Sequence, residues 1–124
     1  DVCSSDLTLY VGEYALNRIV ALQLERPGVL HVARTPYVFA AMKGGVGPDG
    51  MLVDAKGNVY TAHYMAGEVM VHDPAGFEIG AIKLPNWTEG ARGTTNITFY
   101  NGYLYITEAS RNEIWRVRVK ISPP

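Results

Sequence analysis

A single cysteine, Cys3, stands in the 124 residues, so no internal disulfide can form and the redox compartment is left open. No apolar run approaches the ~20 residues needed to cross a bilayer as a helix. Neither sign of charge dominates: 11 Lys and Arg face 12 Asp and Glu, for a net charge of −1. Nucleic acid and anionic membrane both call for clustered cations, and neither is expected as a partner. The nearest approach to a cluster is Arg111, Arg116, Arg118 and Lys120. There, Arg116 and Arg118 alternate with Trp115, Val117 and Val119, the pattern of a strand with one solvated face. Gly44-Gly45-Val46-Gly47 lacks the Gly-Lys-Ser/Thr ending of a phosphate cradle and opens no helix. No Ser-His-Asp arrangement and no zinc-ligand spacing is present. Localisation is unassigned, because any signal would lie upstream.

What the chain does have is hydrophobic content of 48% with 19% charge, the balance of a folded globular protein. It also has a repeat. Leu9–Leu24, Val59–Pro74 and Leu104–Val119 align without a gap, at offsets of 50 and 45 residues. Tyr10, Tyr60 and Tyr105 coincide, as do Ile19, Val69 and Ile114. Each segment is a β-rich run, a small or polar turn, and a second run with alternating apolar residues, which is a hairpin signature.

The middle repeat reads as four strands: Met51–Ala55, Val59–Tyr64, Glu68–His72 and Glu78–Leu84. Lys56-Gly57-Asn58, Met65-Ala66-Gly67 and Asp73-Pro74-Ala75-Gly76 turn the chain between them. Four antiparallel strands in this span make one propeller blade. The last repeat starts at Asn96–Tyr100, turns at Asn101-Gly102 and has three strands. The first lacks its innermost strand, with Val29–Phe39 as its outer edge. The expected fold is all-β, a partial β-propeller of about two and a half to three four-stranded blades from a six-bladed ring. The missing N-terminal blades of the same chain are then its first partner, and the working protein is expected to be about twice this length or more. Asp1–Leu7 reads as the in-frame translation of a sequencing adapter rather than as protein, residues 8–120 as the blades, and 121–124 as a tail.

Tyr37-Val38-Phe39-Ala40, then Gly47-Pro48-Asp49-Gly50-Met51-Leu52-Val53-Asp54-Ala55-Lys56-Gly57-Asn58-Val59-Tyr60, carry a resemblance. The pattern is similar to the regucalcin/gluconolactonase family, six-bladed propellers that hydrolyse sugar lactones and related esters. Gly67-Glu68-Val69, Ile82-Lys83-Leu84-Pro85, Thr94–Phe99 and Leu104–Glu108 continue the likeness in family order. It implies a metal-dependent lactonase with a lactone or ester substrate. It also implies a divalent cation, calcium foremost with zinc or magnesium as alternatives, held only in the complete protein. By the same resemblance Asp49 is a metal ligand, while the family's Glu and Asn ligands lie upstream. One carboxylate cannot hold calcium, which takes six to eight oxygens, so this fragment is expected to be inactive alone.

Without the resemblance, Asp49 reads as a turn residue that accepts backbone N–H bonds. Asn96 occupies the corresponding place in the next blade and is a candidate substrate contact. Asn96-Ile97-Thr98 and Asn86-Trp87-Thr88 also fit the glycosylation pattern. Glu13, His63 and Glu108 align across the repeats and are expected on one rim. His63, able to titrate near neutrality, is the candidate for proton transfer. His31 and His72 read as strand residues on solvated faces. The other reading is a non-enzymatic propeller that binds ligands or proteins, of the NHL-repeat kind, since propellers host many functions.

Overall fold

The computed structural model describes residues 7–85 and 90–120, so Asp1–Asp6 of the adapter-like segment, the sequon at Asn86 and the tail fall outside the described residues. The regular structure of the described residues is almost entirely strand. In chain order the strands are β1 (Thr8–Glu13), β2 (Arg18–Arg26), β3 (Val29–Leu30), β4 (Tyr37–Ala41), β5 (Gly47–Val53), β6 (Val59–Tyr64), β7 (Glu68–His72), β8 (Glu78–Lys83), β9 (Thr94–Tyr100), β10 (Tyr103–Glu108) and β11 (Glu113–Arg118). One turn of 3-10 helix, Tyr14–Leu16, joins β1 to β2.

The strands form three antiparallel sheets, each a blade. Blade 1 is β1-β2-β4 with the short β3 also on β2, blade 2 is β5-β6-β7-β8, and blade 3 is β9-β10-β11. The partial propeller read from the repeat is therefore the fold. The central hairpin of each blade follows the repeat register, with Glu13 opposite Arg18, His63 opposite Glu68 and Glu108 opposite Glu113.

Boundaries differ from the sequence reading in each blade. The outer edge expected over Val29–Phe39 is split into β3 and β4, because Pro36 cannot donate to a ladder and the intervening stretch loops out. The inner strand of blade 2 begins at Gly47 rather than Met51, and that of blade 3 at Thr94 rather than Asn96. Both begin early because a bulge lets pairing resume beyond an irregular residue.

Two apolar layers lie between the blades, and strand alternation builds both. From β6 and β7, Val59 and Met70 face blade 1 and join Ile19, Ala21, Phe39, Ala40 and Met42. The alternate residues Tyr60, Ala62, Val69 and Val71 face blade 3 and join Ile97, Leu104 and Ile106. Each fully buried Ile or Leu contributes roughly 1.5–3 kcal/mol. These layers hold the inner strands β5 and β9 side by side, which sets up the rim described next.

Candidate metal and substrate site

Asp49 lies inside a bulge. Pro48 stands opposite His63 and Met51 opposite Thr61, so Asp49 and Gly50 together face the single residue Ala62. Such an insertion twists the strand and re-aims its side chains. Gly47 and Pro48 are buried while Asp49 is exposed, so the bulge delivers a carboxylate to solvent from an otherwise buried start of the strand. Gly47 is required there: a Cβ would collide with the Tyr14 carbonyl of the 3-10 turn.

Asn96 sits on β9 opposite Thr107, and β9 slips by one residue between Thr94 and Asn96. Both inner strands thus bulge at the same level. Asn96 is exposed, and its Oδ1 accepts a hydrogen bond from the Ile97 amide at 2.9 Å. Its side chain fills the space a Cβ on Gly50 would take. The structure therefore brings Asn96 against the Asp49-Gly50 bulge, two blades contributing to one patch. A hollow of about 100 Å³ beside it is lined by Asn96, Ile97, Thr98, Tyr105 and Thr107.

His63 is placed differently from the sequence expectation. It lies one residue before the end of β6 on the same rim, but its side chain is 0% exposed, held between blades 1 and 2. Its Nε2 meets Asn17 Oδ1 at 2.8 Å, and its Nδ1 is 3.9 Å from Glu68 Oε1. Burial lowers its pKa from the usual imidazole value; the Gly44 carbonyl pulls the other way and His72 adds to the lowering. A general base must reach the proton it abstracts, and this ring has no solvent-facing edge from which to do so. Burial likewise raises the Glu68 carboxyl, with Lys83 opposing and Glu78 adding.

The other two rim residues have local duties. Glu13 pairs with Arg18 at 2.9 Å. Glu108, 1% exposed, accepts the amides of Gly93 (2.7 Å) and Ser110 (2.8 Å) on Oε1 and of Arg111 (2.8 Å) on Oε2. Burial alone would raise its pKa, but those amide bonds together outweigh it and hold the carboxyl below its ordinary value. His72, expected on a solvated face, is buried against the Phe39 ring, and burial lowers its pKa too. His31 is half-buried and lies just beyond β3 rather than in a strand. A pocket of about 300 Å³ between β4 and β7–β8 includes His72 and Glu68 in its wall, but neither Asp49 nor Asn96. Arg116 and Arg118 both stack on the Tyr103 ring, at 4.4 and 4.7 Å, on the exposed side of β11.

The sequence reading missed Asp54 and Asn17. Asp54, 1% exposed, accepts the Lys56 and Asn58 amides at 2.9 Å each, Asn58 Nδ2 at 3.1 Å and the Tyr60 hydroxyl at 3.3 Å. An Asp two residues before a Lys-Gly-Asn turn is the signal that could have found it. Asn17 carried none beyond its place in a hairpin turn.

The donor set fits a hard divalent cation in kind but not in number. A carboxylate on Asp49 and an amide oxygen on Asn96 suit calcium, which takes six to eight oxygens. Among the described residues no three His, Cys, Asp or Glu side chains converge to hold a metal ion.

Comparison with known proteins decides the kinship. Residues 4–110 match the SMP-30/Gluconolactonase/LRE-like region. The chain belongs to this family. Lactonase drp35 of Staphylococcus haemolyticus (strain JCSC1435) is 39% identical over 85 residues, 66% of this chain and 25% of that protein. Lactonase drp35 of Staphylococcus aureus (strain MRSA252) is 36% identical over 90 residues, 70% of this chain and 27% of that protein. Among solved structures, the calcium-binding protein regucalcin from Agrobacterium tumefaciens superposes with a TM-score of 0.80 at 22% identity, covering 95% of this chain and 44% of that one. A gluconolactonase from Xanthomonas campestris gives 0.71 at 28% identity, covering 90% and 34%. This family member thus spans about a quarter of the length of the curated relatives it matches.

Proposed function

We propose that this chain supplies the Asp49 side of the metal site in a lactonase that hydrolyses a sugar lactone or related ester, and that it is inactive without further blades. The observation that carries the reading is the Asp49 carboxylate, lifted to the surface by a bulge whose Gly50 is packed by Asn96, in a chain of the SMP-30/gluconolactonase family. A bound divalent cation, calcium foremost, would polarise the lactone carbonyl and stabilise the developing oxyanion. Asp49 contributes one anionic oxygen ligand to it. Asn96, with its amide nitrogen not engaged by Ile97, orients the substrate by donating to a ring or carbonyl oxygen. The hollow along Thr98, Tyr105 and Thr107 offers a wall against which a small ring can rest. His63 supports the loop from beneath instead of moving a proton.

The test is to extend the reading frame upstream of codon 1, express the product and assay glucono-δ-lactone hydrolysis with and without a chelator. Chelator-sensitive hydrolysis supports the reading. An extended product that binds ligand or protein without hydrolysing any lactone favours the non-enzymatic propeller.

A further inference from the structure

The segment that carries Asp49 to the rim is made of residues that ought not to hold a fixed shape. Lys43-Gly44-Gly45-Val46-Gly47 contains three glycines, and Gly44 and Gly45 both have positive φ, +71° and +58°. Glycine loses more conformational freedom on ordering than any other residue. Something must offset that cost, and the hydrogen bonds of one side chain converge on the loop.

Asn17 ends the 3-10 turn in the left-handed conformation, φ 51°, which asparagine tolerates better than most residues. Its Nδ2 donates to the Gly44 carbonyl at 2.9 Å and the Met42 carbonyl at 3.2 Å. Its backbone carbonyl accepts the Met42 amide at 2.9 Å. With both amide hydrogens given to carbonyls, its Oδ1 can only accept. The imidazole nitrogen at 2.8 Å, Nε2 of His63, must therefore carry the hydrogen. His63 is packed under the loop as well: a Cβ on Gly45 would stand 3.0 Å from Nε2. The far end of the loop is fastened by the Val46 amide, which donates to the Tyr64 carbonyl at 2.9 Å. From there the chain enters β5 through Gly47 and Pro48 and reaches Asp49.

We propose that Asn17 and His63 form a clamp between blades 1 and 2 whose task is to fix the glycine loop and so to position Asp49. This rests on the reading of Asp49 as a metal ligand only for its purpose; the clamp itself is a statement about geometry. His63 is then a positioning residue, locked as the neutral Nε2–H tautomer. Its Nδ1 has no hydrogen-bond partner and lies 3.9 Å from the half-buried carboxyl of Glu68. The clamp explains why a fully buried imidazole stands near the end of β6: a hydrocarbon of similar size would leave the part-buried Asn17 Oδ1 without its donor, at a cost in stability.

The test uses the full 124-residue chain and nuclear magnetic resonance. In the wild type, two-bond proton–nitrogen spectra of the histidine rings are expected to show His63 as the Nε2–H tautomer. The Met42 and Val46 amides should exchange slowly. His63→Leu and Asn17→Asp should each speed exchange at Met42 and Val46 by ~10-fold or more, while amides of the β10–β11 hairpin keep their rates. His63→Gln, whose amide nitrogen can take the place of Nε2, should restore slow exchange. An Nδ1–H tautomer in the wild type overturns the proposal, as does unchanged Met42 and Val46 exchange in both disrupting variants. Failure of His63→Gln to differ from His63→Leu also overturns it, because a purely space-filling role would not distinguish the two. None of these readouts depends on lactone hydrolysis, so the clamp and the lactonase reading can fail separately.

Discussion

The side chain of Asn96 occupies the place where a Cβ on Gly50 would stand, so the inner strands of blades 2 and 3 interlock at the bulge that bears Asp49. The relationship explains why a glycine follows the carboxylate: any larger residue drives blade 3 away or turns Asn96 aside. Gly50→Ala is expected to lower stability by about 1–3 kcal/mol, the usual cost of overpacking. Asp49→Ala, at an exposed position, should change it by less than about 0.5 kcal/mol. Urea unfolding of the two variants side by side checks both values.

Asp54 organises the opposite end of the same blade. It is buried and accepts two backbone amides and two side-chain donors. Asp54→Ala leaves those donors unsatisfied and is expected to cost about 3 kcal/mol or more. Burial, the charge of Asp54 and its hydrogen bond push the Tyr60 hydroxyl up to about 12. Since burial is the largest of these causes, Asp54→Asn should bring Tyr60 only part of the way back toward its usual value, read by ultraviolet titration of the phenol. A Tyr60 titration unchanged in that variant would rule out the assigned partner.

Burial lowers the pKa of both His63 and His72. The unfolded chain then binds more protons than the folded one below the ordinary histidine value of about 6.5. The histidine contribution to stability is complete above that pH and is lost as pH falls through the lowered folded values. Glu68, raised by burial, acts in the opposite sense and loses its contribution as pH rises through its own folded value. The histidines are two and fully or nearly buried, so stability is expected to fall between about pH 7 and pH 5. Denaturant midpoints across that range test it, and His72→Phe should flatten part of the slope.

The fold was legible because period and turn chemistry agree. Strands β6 and β7 have the limits read from alternation, and the offsets of Tyr10, Tyr60 and Tyr105 place three blades in register. The inner strands were read short because a bulge breaks alternation without ending the ladder: Asp49 and Gly50 look like a turn in sequence and sit inside β5. His63, His72 and Asn17 were the least legible. Whether a histidine at a strand end faces solvent or a neighbouring blade depends on contacts made across the blade interface, and no local pattern encodes them. The pairing of Asn17 with His63 spans 46 residues and joins two repeats.

Among the described residues, the outward faces of blades 1 and 3 carry exposed apolar side chains. Leu9 and Val11 of β1 are each 39% exposed, and Tyr100 and Ile114 are 66% and 74% exposed. Faces of this kind drive association. The isolated chain is expected to self-associate, with a light-scattering mass that rises across a dilution series and an unfolding midpoint that depends on concentration. A monodisperse monomer with a concentration-independent transition would show that these faces are stable in water.

The most direct test of Asp49 as a metal ligand is a calcium titration of lactone hydrolysis by the upstream-extended protein, wild type against Asp49→Ala. Replacing groups that only orient a metal ligand typically costs 10–100-fold in affinity, so loss of the ligand itself should weaken the apparent calcium affinity by about 100-fold or more. The account predicts that shift with the fold intact. Hydrolysis that persists in chelator, or a calcium dependence that Asp49→Ala leaves unmoved, would contradict it.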